Sequence, residues 1–177
     1  MKNTVQKVWN AVSTVLVALI ACVVLALLGL RLFGLQGFVV LSGSMEPTYH
    51  TGSMIYVKSV DETPLEKGEV ITFHATDTAI ATHRIIEVVE KGGSVLYRTK
   101  GDANDVADGS LVKHSEVIGT PVFSVPYLGY ALTYIQSPPG MYVAIAAGAM
   151  ILLLIFLPGL IFEKGNGKKT KTKEEQQ

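Results

Sequence analysis

The chain has 177 residues, 49% of them hydrophobic and 17% charged, with fifteen Lys/Arg balanced by fifteen Asp/Glu. That length allows one modest domain with appendages, and no nucleic-acid partner is expected of it. The single cysteine, Cys22, leaves no internal disulfide to make.

In chain order, Lys2 and Lys7 precede an uncharged run from Val8 to Leu30, about the ~20 residues a helix needs to cross a bilayer. "LIAC" (19–22) resembles a lipoprotein processing site, but the run continues eight residues past Cys22, so lipidation is not expected. The run also exceeds the roughly 7–15 apolar residues of a cleaved signal peptide. After it come short segments rich in β-branched residues: "GFVVL" (37–41), "SMIYVKSV" (53–60), "EVITFHA" (69–75), "IATHRIIEVVE" (80–90), "SVLYRTK" (94–100) and "EVIGTPVFSV" (116–125). Turn signals separate them ("YHTG", "ETPLEKGE", "KGG", "GDANDVADG"), the pattern of strands in a small, mostly antiparallel β-domain. "VPYLGYALTYIQSPPG" then carries Tyr127, Tyr130 and Tyr134 at helical spacing, with Tyr142 following. Tyrosines at that position suit a membrane–water interface, so 123–139 is expected to be interfacial. A second apolar run over 140–162 is the second expected span, and a basic tail (163–177) follows.

The neutral total hides an asymmetry. Leu35 to Pro139 holds seven Lys/Arg against twelve Asp/Glu, a net −5, and the remainder holds eight against three, a net +5. Basic flanks favour the cytoplasm. The expected arrangement is therefore multi-pass in the cell membrane, both termini cytoplasmic. It comprises a first segment with its transmembrane helix (1–34), an extracytoplasmic β-domain (35–139), a second transmembrane helix (140–162) and the cytoplasmic tail. The fold class is mainly β, flanked by two transmembrane helices.

Three groups could carry chemistry, and each also has an ordinary structural reading. "LSGSMEPTYH" (41–50) is either a polar linker or the seat of a serine nucleophile, which would need a base within reach. Of the four histidines, His83 lies in a strand-like stretch that offers no lysine, on the apolar face with Ala81 and Ile85; a packed imidazole and a general base both fit. "TKGDANDVADGS" holds Asp102, Asp105 and Asp108. It is a solvated turn, a calcium loop lacking the terminal Glu of an EF-hand, or the source of a carboxylate that orients His83.

The order of these motifs is more specific than any one of them. "SGSMEPT", then "GEVITF", "ATHRI", "TKGDAND…D" and "VPYLG" together resemble the type I signal peptidases. Histidine stands where most bacterial members have lysine, which is the endoplasmic-reticulum and archaeal pattern, also found in spore-forming bacteria as the W-type enzyme. The resemblance covers roughly residues 35–130 and the two-span layout. It implies a membrane-bound serine endopeptidase acting on signal-peptide-bearing precursors at the lipid bilayer, alongside secretion machinery or an accessory subunit, with no metal or organic cofactor. Ser44 is then the nucleophile and His83 the general base. Ser42 and the Ser44 N–H form the oxyanion hole, Met45 packs underneath, Asp108 partners His83, and Asp102 orders the site with Arg84 as its ion-pair partner. Two other readings compete: a self-cleaving repressor-type peptidase, which would use lysine and a soluble DNA-binding region, and a non-enzymatic, membrane-anchored β-domain that binds secreted partners. The latter would leave Ser44 and His83 far apart.

Overall fold

The computed structural model of the chain describes residues 2–174, with side chains described for residues 4–26 and 28–156. It divides into two compact units, residues 28–133 and residues 1–27 with 134–177.

The first unit is built on a mainly antiparallel sheet. Its strands are β1 (Leu35–Val39), β2 (Met54–Lys58), β3 (Val70–His74), β4 (Ile80–Lys91), β5 (Ser94–Lys100), β6 (Leu111–Lys113) and β7 (Val117–Val125). Their spatial order is β1-β2-β7-β3-β4-β5-β6. β3 shows why the order matters. It pairs with both β4 and β7, and Ile71, Thr72 and Phe73 are all buried, as a central strand requires. The Thr72 hydroxyl, at 0% exposure, is satisfied by the Thr82 hydroxyl directly across the β3–β4 pair, 2.8 Å away. Ile71, Phe73, Ile85, Tyr97 and Val112 form the core, with Leu65, Ala81, Val95 and Val117 packed on it.

β4 and β5 form a hairpin closed by Gly92 and Gly93, at φ +61° and +77°. Two consecutive positive φ values make the turn whose twist matches the flanking strands, and glycine takes them at no steric cost. The pairing of Ile85 with Thr99 and of Arg84 with Lys100 fixes which β5 residues stand near His83. β5 ends at Lys100, so β4 residues 80–83 are hydrogen-bonded to β3 alone among the described residues. Beyond the sheet, the Tyr97 hydroxyl accepts from the Leu65 N–H (3.0 Å) and lies 2.7 Å from His114 Nδ1. His114 Nε2 in turn lies 2.8 Å from the Asp61 carbonyl oxygen. This chain of bonds ties the loop before β3 onto the core.

The helices are α1 (Lys2–Leu32), α2 (Leu128–Gln136) and α3 (Pro138–Glu174). Thr4–Leu32 and Pro138–Phe156 are long and apolar enough to be candidate membrane spans. Within the second unit, Trp9 Nε1 donates to the Leu154 carbonyl at 3.1 Å, linking α1 to α3. The structure departs from the expected element boundaries in three places. β6 was not anticipated. The segment 123–139 comprises the end of β7 followed by α2. Backbone helix continues past residue 162 to Glu174, while the basic side chains of the expected tail, with that of Lys2, lie outside the described residues.

Candidate active site

Ser44 sits in the middle of a single 3₁₀ turn, Gly43–Met45, directly after the extended Ser42. Met45 anchors the turn from below at 3% exposure, and the Glu46 N–H closes it onto the Gly43 carbonyl at 3.0 Å. The Glu46–Pro47 peptide bond is cis. The Glu46 carboxylate then accepts from the Thr51 N–H (3.2 Å) and meets His50 Nδ1, so both ends of the following loop are held by its own residues. The segment is a tethered turn and not a linker.

Across from it, His83 points from β4 with Nε2 3.3 Å from Ser44 Oγ. Its other ring nitrogen, Nδ1, lies 2.6 Å from Asp108 Oδ2. The ring is mostly sheltered, 14% exposed, and stands edge-on to Phe73 at 6.3 Å and 64°. A carboxylate can only accept here, so Nδ1 carries the proton and Nε2 presents a lone pair to Ser44. That is the tautomer a base needs to take a hydroxyl proton. Ser42 Oγ lies 3.3 Å from Ser44 Oγ. Strand alternation does put His83 on the face of Ile85, but β5 stops at Lys100. The apolar face therefore opens at His83 instead of closing over it.

The loop after β5 wraps the serine. The Ala103 N–H donates to the Ser44 carbonyl at 2.9 Å, and a Cβ at Gly101 would stand 2.6 Å from that same oxygen. Only glycine lets the two backbones come this close. Asp102 faces away from His83. It takes a bidentate pair from Arg84 (Nε–Oδ1 2.8 Å, Nη2–Oδ2 2.6 Å) and a bond from the Thr48 hydroxyl at 2.5 Å. The Arg84 guanidinium beside it holds the Asp102 carboxyl below the usual carboxylate range, and Asp102 in return raises Arg84. Arg84 Nη1 reaches the Gly68 carbonyl at 2.8 Å, so this network braces the serine turn, β4 and the loop before β3 together. Tyr49 lies close by, its hydroxyl pushed up mainly by burial.

An apolar groove of about 610 Å³ runs up to Ser44 and His83, lined by Phe38, Val40, Leu41, Met45, Tyr49, Ile55, Ile80 and Ala81 among others. The side of β4 at 80–83 that has no strand partner among the described residues forms part of its wall. An extended peptide could add its backbone to such an edge while its side chains enter the groove. Sequence reasoning overlooked Thr48, Tyr49, Phe73, Thr99 and Gly101. The glycine stood in view in "TKGD", but the close approach that requires it is visible only in three dimensions.

The family described as "Signal peptidase, peptidase S26" matches residues 11–133, and the chain belongs to it. Two kinds of relative are similar to it. Signal peptidase I W of Bacillus subtilis (strain 168) is 47% identical over 79 residues, 44% of this chain and 42% of that protein. SEC11C, a signal peptidase complex catalytic subunit, is 36% identical over 126 residues in both Rattus norvegicus and Homo sapiens, 65% of this chain and 66% of theirs. The chain thus spans less than half of the first relative and just under two thirds of the others. These relatives, a W-type enzyme and endoplasmic-reticulum-type catalytic subunits, are of the type that the motif order resembled.

Proposed function

We propose that this protein is a membrane-bound serine endopeptidase that removes signal peptides from secreted precursors. The observation that carries the reading is the line Ser44 Oγ–His83 Nε2, His83 Nδ1–Asp108 Oδ2, at 3.3 and 2.6 Å, at the end of an apolar groove. His83 takes the Ser44 proton as Oγ attacks the carbonyl carbon of the last signal-peptide residue. The Ser44 N–H and the Ser42 hydroxyl receive the developing oxyanion. The tetrahedral species then collapses, His83 protonates the leaving amine, and the mature protein departs. Water, deprotonated by the same imidazole, hydrolyses the acyl-Ser44 ester and restores the enzyme. Asp108 keeps the imidazole in its Nδ1–H tautomer and stabilises the imidazolium between these steps.

The setting fits that substrate class. Candidate spans at both ends of the chain anchor it where the apolar core of a signal peptide lies. In this reading the β-domain (35–139) is extracytoplasmic, both termini are cytoplasmic, and the tyrosines of 123–139 sit at the interface. The non-enzymatic alternative called for Ser44 and His83 to stand apart, and their contact in one groove weighs against it. The test is incubation of the full chain in detergent with signal-bearing precursors, followed by sequencing of the new N-termini. One discrete cleavage after the signal segment is expected, and intact precursor would overturn the proposal. His83→Ala should be inactive yet still membrane-inserted. His83→Lys should not rescue it, because lysine must be desolvated to be neutral near pH 7, and a carboxylate 2.6 Å from the imidazole would hold it charged.

A further inference from the structure

Asp108 is held by one residue at two points. Its N–H donates to the Thr99 carbonyl at 2.8 Å, and the Thr99 hydroxyl donates to Asp108 Oδ2 at 2.6 Å. The hydroxyl and His83 Nδ1 therefore meet the same carboxylate oxygen. Thr99 is fully buried at 0% exposure. Its location follows from register. It pairs with Ile85 across the hairpin, and directly opposed residues share a face of the sheet. His83, two residues before Ile85, projects from that face too.

A carboxylate has two oxygens, and the torsion about its Cβ–Cγ bond is broad and roughly two-fold, so either oxygen could face His83. The Asp108 side chain is 24% exposed and sits in a loop. The short charge-assisted bond from a buried, strand-borne hydroxyl pins Oδ2 at one place. From there it can accept the Nδ1–H hydrogen bond with Nε2 aimed at Ser44. We infer that Thr99 is a positioning residue for the peptidase reaction, acting through Asp108 by its hydroxyl. This rests on the roles proposed for His83 and Asp108.

The hydroxyl, not the methyl, is the effective group, and that makes the inference testable. Thr99→Val keeps shape and removes the donor; Thr99→Ser keeps the donor and removes the methyl. The Thr99→Ser and Thr99→Ala pair gives the same comparison of donor against no donor in a smaller side chain, should Val disturb folding. Full-length variants in detergent would be compared by kcat and KM on one precursor, with melting temperatures alongside. A hydrogen bond to a charged group has a strength that corresponds to about 10–100-fold in rate. Thr99→Val and Thr99→Ala should therefore lose about that factor in kcat with KM within about twofold, and Thr99→Ser should stay within about threefold of wild type. Placed in an Asp108→Asn background, Thr99→Val should cost almost nothing more, because its route to the reaction is already cut. Serine as impaired as alanine, or a full additional loss in the Asp108→Asn background, would overturn the inference in favour of mere packing. A normal Thr99→Val beside a crippled Asp108→Asn would overturn this inference alone. Normal turnover in both would overturn the role proposed for Asp108 as well.

Discussion

Asp102 and Asp108 stand six residues apart in one loop and meet different partners, so their loss should read differently. Asp108→Asn would turn an amide N–H or an uncharged oxygen toward Nδ1. The first forces the wrong imidazole tautomer and the second stabilises imidazolium poorly. Turnover should fall by on the order of 10⁴, with the melting temperature nearly unchanged. Asp102→Asn breaks a brace instead, lowering the melting temperature by roughly 5 °C, about what 1 kcal/mol does to a domain of this size, with a smaller loss of rate. Single-turnover rates and thermal melts of both variants check this, and the opposite pattern would exchange the two roles. Asp102 also has a pH signature. Its folded-state pKa is lowered, first by the bonds from Arg84. The stability it contributes is therefore present above the unfolded value of about 3.9 and is lost as pH falls through the folded one. Wild type should lose melting temperature more steeply than Asp102→Asn below roughly pH 4. Equal slopes would show that the Arg84 pair does not stabilise the fold. Which aspartate faces which partner could not be derived from composition or spacing, because both sit in turn-forming sequence and the choice is made by where β5 ends.

Strands rich in β-branched residues and bounded by turn signals were legible from sequence: β5 runs over the same residues, 94–100, that the sequence pattern marks out. β6 was not, because three residues, Leu111–Lys113, carry no period of their own and become a strand only by pairing with Leu96–Arg98. Tyr130 and Tyr134 fall on the helix α2, Leu128–Gln136, and Tyr127 precedes it; the sequence pattern marks all three only as an interfacial segment. The register shifts on both sides of β7 had no local signal, since a bulge is set by the partner strand. At one of them Gly119 lets the sheet close: a Cβ there would stand 2.1 Å from the Lys58 carbonyl oxygen, whereas at Gly109 it would meet nothing within 4 Å. Gly119→Ala should destabilise by about 1–3 kcal/mol, and Gly109→Ala by less than about 0.5 kcal/mol. Chemical denaturation of the two variants decides it; equal stabilities would mean that β2 and β7 give way more easily than the contact implies.

For the whole molecule, charge asymmetry and two apolar runs suggest the proposed layout, while the site had to be assembled by folding. Ser44 and His83 are 39 residues apart, and His83 and Asp108 are 25 apart. No periodicity connects them, and only the order of motifs hinted at their meeting. The proposed orientation is open to a direct check in inside-out membrane vesicles. Added protease should remove the tail, 163–177, and leave the 35–139 domain intact; digestion of that domain would reverse the topology. The central claim is that Ser44 and His83 work as one unit in cutting precursors, and groups that act as a unit show losses far from additive. Single-turnover cleavage of one precursor by wild type, Ser44→Ala, His83→Ala and the double variant tests it most directly. Each single variant should fall by about 10⁴-fold or more, and the double variant should be no slower than either. A His83→Ala enzyme within a few-fold of wild type, or losses that multiply in the double variant, would contradict it.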